Sequence, residues 1–174
     1  MSHSQRHLWE NPFRRKDTAT ETREAWRKTP LLHDIPASVC NKLVERTHLR
    51  HYQPGEYLFR EGEAGVSAAV IIAGKIAIQS DDKRIAELQP GDFFGEAALL
   101  QDAPRPASAI AMTEATVSFL VRFQLEEFVR HRPGAGLEIM TNLARLLVAR
   151  LHRGNRGGIV EQTSSEPQAG AEHP

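Results

Sequence analysis

Glu96 and Arg105 stand nine residues apart in the stretch Pro90-Gly-Asp-Phe-Phe-Gly-Glu-Ala-Ala-Leu-Leu-Gln-Asp-Ala-Pro-Arg-Pro-Ala-Ser108. The two side chains offer complementary binding chemistry. Arginine presents a planar fork that can hold two phosphate oxygens at once. An ionised carboxylate only accepts hydrogen bonds, which suits a sugar hydroxyl. The apolar run Ala97–Leu100 is long enough for one helical turn, whose first amides favour an anion. Gly95, with no Cβ, lets backbone approach a ligand closely. Together these groups would hold a ribose and its adjoining phosphate. The same spacing also suits a plain salt bridge between Glu96 and Arg105 inside a loop, and spacing alone leaves both readings open.

Other chemistry is poorly supplied. All eight histidines (His3, His7, His33, His48, His51, His131, His152 and His173) fall outside residues 52–130, which also lack cysteine. A metal site of the usual His and Cys ligands within that block is therefore excluded. His48 and His51 are close in sequence but have no third ligand nearby. No Ser–His–acid or Cys–His signature lies in a turn context. Cys40 sits among Val39, Leu43 and Val44 at helical spacing, which predicts a buried thiol. These absences point to a binding protein rather than an enzyme.

The elements that must position Glu96 and Arg105 are mainly strands. Six glycines lie between Gly55 and Gly95, after none at all in the first 54 residues. Glycines clustered between short apolar runs mark tight turns of an all-β region. The runs read as strands at Glu56–Phe59, Ala68–Ile72, Lys75–Gln79, Ile85–Leu88, Ser108–Met112 and Thr116–Val121. Ser80–Arg84 reads as a hairpin tip, and Pro54-Gly55 and Pro90-Gly91 as turns.

Helices flank the block. One starts near Pro36 and another spans Thr18–Thr29 with Trp26 as its anchor. A short helix over Gln124–His131 precedes Pro133-Gly134. A long one covers Ala135–Arg153, with Leu137, Met140, Leu143, Ala144, Leu147 and Leu151 at steps of three and four. Gly154, Gly157 and Gly158 are expected to end it. Met140, Ala144, Leu147 and Leu151 follow a 4-3-4 spacing, which fits either packing on the strands or a homodimer seam.

Composition is that of an ordinary soluble domain, 40% hydrophobic and 25% charged in 174 residues. A formal net charge of zero selects no partner, although residues 31–121 are acidic and 122–156 basic. No apolar run approaches a membrane span, and the first residues lack a signal-peptide core, so the expected location is cytoplasmic.

The 90–108 stretch resembles the phosphate-binding cassette of cyclic nucleotide-binding domains, as in the catabolite activator protein and protein kinase A regulatory subunits. The likeness extends to Pro30-Leu-Leu-His-Asp-Ile-Pro36, Tyr52-Gln-Pro-Gly-Glu-Tyr-Leu-Phe-Arg-Glu-Gly62 and Val70-Ile-Ile-Ala-Gly-Lys-Ile-Ala-Ile78. It implies a mainly β fold, a jelly-roll-like β-roll with an N-terminal helical segment and two C-terminal helices. The domain would occupy 30–153, between a mobile or partly helical segment 1–29 and a disordered tail 154–174. The implied ligand is cyclic AMP ahead of cyclic GMP, with no cofactor. The implied contacts are Glu96 to the ribose 2′-hydroxyl and Arg105 to the cyclic phosphate. Gly95, Ala97, Ala98, Pro106 and Ala107 would lie around them. The helix after Pro133 would close over the base, with Asn142 and Arg145 as candidate capping residues.

Pro106 departs from the family, which usually carries Ala, Ser or Thr with a free amide at that place. A fold retained as a protein-interaction module, without nucleotide, is the alternative reading. Relatives of the catabolite-activator type carry a helix-turn-helix after the long helix, and the roughly twenty residues following Arg153 hold no recognition helix. Output would then pass through an effector protein or through self-association.

Overall fold

Eight strands and four α-helices occur among the described residues of the computed structural model, namely 12–162 without Asp82, with side chains described for 18–152. The strands are β1 (His48–Tyr52), β2 (Tyr57–Phe59), β3 (Ser67–Ala73), β4 (Ile76–Ser80), β5 (Lys83–Leu88), β6 (Phe93–Phe94), β7 (Ser108–Ala111) and β8 (Ala115–Val121). They form two antiparallel sheets, ordered β1-β8-β3-β6 and β2-β7-β4-β5. The helices are α1 (Pro12–Arg27), α2 (Ala37–Val44), α3 (Arg122–His131) and α4 (Pro133–Gln162). This is the jelly-roll β-roll with flanking helices that the sequence predicts.

Strand periodicity divides the core in two. Successive side chains of a strand point to opposite faces. In β3, Ala69 and Ile71 face the roll interior, with Tyr52, Ile76, Phe94, Val117 and Phe119. Ala68 and Val70 face the helical layer, with Trp26, Leu43, Leu125, Phe128, Ile139 and Leu143. A strand buried on both faces reads as a continuous apolar run, and Ser67–Ala73 does. Trp26 is fully buried, as its anchoring role predicts, and its indole N–H donates to Ser118 Oγ at 2.8 Å. Left unmet, that buried donor would cost roughly 1–3 kcal/mol. Cys40 is buried, with Sγ 3.4 Å from Ile35 O.

The six strands read from sequence all appear, with ends moved by one or two residues. The strands β1 and β6 are additional. His48-Leu-Arg-His-Tyr52 exposes every residue but the last, so it carries no apolar face; its pairing with β8 makes it a strand. Phe93–Phe94 is too short for any period to register. Gly74 closes the β3–β4 turn at φ 83°, where a Cβ would lie 2.2 Å from Glu114 O.

The largest correction concerns α4. It does not stop at Gly154 but continues through Gly157 and Gly158 to Gln162, so the tail expected from residue 154 begins with helical backbone. Glycine weakens a helix by about 1 kcal/mol per residue without forbidding it, and here a long docked segment precedes the glycines. Residues 12–17, in the segment expected to be mobile or partly helical, belong to α1. The first part of that segment, 1–11, and the rest of the expected tail, 163–174, lie outside the described residues. Among the described residues no helix is long and apolar enough to cross a membrane.

Candidate functional site

Gly95 adopts the left-handed conformation, φ 73° and ψ 17°, and turns the chain from β6 into a 3-10 turn over Glu96–Leu99. That turn is the single helical turn predicted from the apolar run. A Cβ on Gly95 would sit 2.8 Å from Arg105 Nη1 and 3.3 Å from Ser67 O. The glycine therefore serves both the backbone turn and the space occupied by the Arg105 guanidinium. Ala98 is buried and its N–H donates to Gly95 O at 3.2 Å, whereas Ala97 is exposed.

Arg105 is held by its backbone on the other side. Its N–H donates to Glu63 O at 2.7 Å, and its carbonyl accepts from Gly62 N–H at 2.9 Å. Pro104 bridges Ala64 in the same antiparallel sense. This clamp directs the side chain inward, leaving only 6% of the residue exposed. Pro106 then points to solvent, and Ala107 is buried just before β7 begins.

The predicted pair is close in the fold but is not an ion pair. Glu96, 4% exposed, receives Arg150 of α4, with Nη1 2.8 Å from Oε1. Arg150 Nη2 also donates to Phe93 O at 2.7 Å. The plain salt bridge between Glu96 and Arg105 is thus overturned. Glu96 Oε2 remains buried without a hydrogen-bond partner.

Arg105 pairs with no carboxylate among the described residues. Its Nη2 donates to Ser67 O at 2.8 Å, with Ser67 Oγ at 3.4 Å. Its guanidinium carbon lies 4.0 Å from the centre of the Phe59 ring. Its Nε is buried and unpartnered. Burial holds its pKa below the ordinary arginine value, with the Glu63 charge opposing. The group stays charged, because guanidinium does not lose its proton in proteins.

A buried charge without a counter-ion is expensive, and each unmet buried polar atom adds to the cost. Here one unmet donor belongs to a cation and one unmet acceptor to a carboxylate, on residues that flank a single glycine turn. A molecule with a hydroxyl donor beside an anionic group would satisfy both.

Glu96 and Arg105 are both buried. Two surface concavities, of about 480 and 510 Å³, are lined by Val66, Leu100, Arg122 and Phe123 and by Arg50, Tyr52, Tyr57 and Arg60, among others; neither includes Glu96 or Arg105. Arg150 of α4, 41% exposed, covers Oε1 of Glu96 through its ion pair. Asn142, a candidate capping residue, is otherwise engaged: its Nδ2 donates to His33 O at 2.8 Å and Leu31 O at 3.3 Å, tying α4 to the N-terminal segment. Arg145 faces solvent. Arg150, Phe59 and Ser67 were not legible as site residues, because they lie 54, 37 and 29 residues from Glu96 in sequence. Only the register of β2, β3 and α4 brings them together.

Known proteins share both the sequence pattern and the fold. The family model of the cyclic nucleotide-binding domain matches residues 49–132. A cAMP-dependent protein kinase regulatory subunit of Colletotrichum orbiculare is 36% identical over 96 residues, which are 54% of this chain and 25% of that protein. The cGMP-dependent protein kinase 2 of Mus musculus is 33% identical over 114 residues, 61% of this chain and 15% of that kinase. The chain thus spans a quarter or less of these two relatives. Among solved structures, the Thermus thermophilus catabolite activator protein superposes with a TM-score of 0.68 at 26% identity, covering 77% of this chain and 63% of that one. A cyclic nucleotide-binding domain from Methylobacillus flagellatus shares the fold, with a TM-score of 0.72 at 24% identity over 86% of each chain.

Proposed function

Because residues 49–132 of this chain match the family model of the cyclic nucleotide-binding domain, we propose that it is a non-enzymatic sensor that binds cyclic AMP, and cyclic GMP more weakly, between Glu96 and Arg105. The observation that carries this reading is the buried Arg105 guanidinium, whose Nε is unpartnered and which has no carboxylate partner among the described residues. A cyclic phosphate supplies that charge, and the ribose hydroxyl supplies the donor that Glu96 Oε2 lacks. A protein-interaction module that had given up its ligand would gain nothing from a buried unpaired cation, so the same observation disfavours that alternative. Calorimetric titration with cyclic AMP tests the reading.

The output follows from the Arg150 contact. A ligand that engages Glu96 acts on the carboxylate that also anchors α4, so occupancy and α4 position are coupled. Differential contact of this kind is what a population shift requires. The signal then leaves through an effector protein or a second copy of the chain.

Of the four residues read as a seam, Ala144 and Leu151 are exposed and available for self-association, whereas the other two are partly covered. Met140 and Leu147 pack partly against the helical core, beside buried Ile139, Leu143 and Leu146. The solvent side carries Leu137, Thr141, Ala144, Val148 and Leu151, again at steps of four and three. Leu137, Val148 and Leu151 are 70%, 53% and 63% exposed, an apolar stripe left uncovered by the described residues. A second α4 against this face would form a coiled-coil-like dimer. Sedimentation of the parent at tens of micromolar should give a dimer, and Val148→Glu a monomer; a monomeric parent, with and without cyclic AMP, removes the proposal.

A further inference from the structure

The arginine that serves as the anion seat is itself held in place, and among the described residues no carboxylate does it. We propose that Phe59 is the positioning residue for Arg105: its ring face takes the place of a counter-ion and fixes the guanidinium before any ligand arrives. The inference rests on the nucleotide reading above and adds to it the residue that organises the site in the empty state.

Three observations converge on Phe59. The guanidinium carbon is 4.0 Å from the ring centre, a contact distance at which the negative face of the ring attracts a cation. Desolvation strengthens that attraction, and Arg105 is 6% exposed. The ring is in turn supported by Phe94, at 6.1 Å between centres. Finally, β2 is irregular at this point: Tyr57 pairs with Ile110, but Phe59 pairs with Ala109. β2 therefore advances two residues while β7 advances one, which is a bulge. Bulges bend a strand and re-aim the side chain that follows.

Each neighbour then holds a different part of the side chain. Ser67 O takes one Nη2 proton, and Gly95, lacking a Cβ, leaves the space that Nη1 occupies beside it. Phe59 covers the face of the fork. The flexible arginine is confined to one orientation, so less conformational freedom remains to be lost on binding. A ring face also tolerates the ligand's arrival, because it competes for none of the N–H donors.

The test compares Phe59→Leu, which keeps apolar volume but removes the ring face, with Phe59→Tyr, which keeps the face. Calorimetric affinity for cyclic AMP should fall about three- to tenfold in the leucine variant and stay within about twofold in the tyrosine variant. Nitrogen–proton NMR of the unliganded protein gives a second readout. The Arg105 Nε–H resonance, assigned by its loss in Arg105→Lys, should be ring-shifted in the parent and in Phe59→Tyr, and move toward the ordinary position in Phe59→Leu. Phe59→Met serves the same purpose should the leucine variant not fold. Equal affinity of the leucine variant and the parent, or an Nε–H resonance that does not move, overturns the proposal. A parent that fails to bind cyclic AMP overturns the nucleotide reading instead, and the NMR comparison still decides the role of Phe59.

Discussion

Arg105→Ala should weaken cyclic AMP binding by roughly thirty- to a hundredfold while lowering the thermal midpoint of the unliganded protein by no more than about 4 °C. The loss of affinity follows from the phosphate hydrogen bonds that alanine cannot make. A charge-assisted hydrogen bond to a buried phosphate is worth about 2–3 kcal/mol, and each 1.4 kcal/mol is tenfold in affinity. The small thermal change follows from the cost of the empty site. Removing a buried unpaired guanidinium relieves its desolvation penalty. It also removes the Ser67 hydrogen bond and the packing on Phe59. These effects oppose one another and leave a net change of about 1 kcal/mol or less, equivalent to roughly 2–4 °C for a domain of this size. The backbone clamp to Gly62 and Glu63 is untouched by the substitution. Titration and thermal unfolding of the same preparation read both quantities. Equal affinity in variant and parent would remove Arg105 from the site.

Pro106→Ala is expected to tighten cyclic AMP binding by about tenfold without changing the fold. Proline has no backbone N–H, so the residue after the arginine brings no donor to the phosphate. One hydrogen bond to a charged acceptor contributes about 1.5–3 kcal/mol. Two effects oppose the gain. Proline stiffens the unliganded loop, which is worth up to about 1 kcal/mol, and a water can donate in place of the amide at modest entropic cost. Pro106 is exposed, with Arg105 clamped before it and Ala107 buried after it, so the loop has little freedom for proline to remove. The restored donor should therefore prevail. A variant that binds no more tightly than the parent would show that the missing amide does not limit affinity.

Much of the fold was legible because its signals are local. Glycine turns and β-branched runs marked six of the strands, and Trp26 stood out as an apolar anchor in a polar segment. The strand β1 was not legible, because its pairing with β8 is a long-range decision that an exposed pentapeptide cannot announce. The end of α4 was misplaced because glycines are weak stops when a docked helix precedes them. The site divides the same way. Gly95, Glu96 and Arg105 lie within one continuous segment, and their residue types state their chemistry. That Glu96 pairs with Arg150 rather than Arg105 depends on how α4 crosses the cassette. The seam on α4 illustrates the remaining limit. Steps of three and four fit two adjacent faces of one helix, Met140–Leu147 and Leu137–Leu151, and only packing decides which of them the core covers.

Calorimetric titration of the intact chain with cyclic AMP, with adenosine as the phosphate-free comparison, decides whether Glu96 and Arg105 form a cyclic nucleotide site. One site per chain is expected for cyclic AMP, with weaker binding of cyclic GMP and no heat with adenosine, since the unmet charge of Arg105 calls for the phosphate. No binding of either cyclic nucleotide at millimolar concentration, or equal binding of adenosine, would contradict the sensor reading.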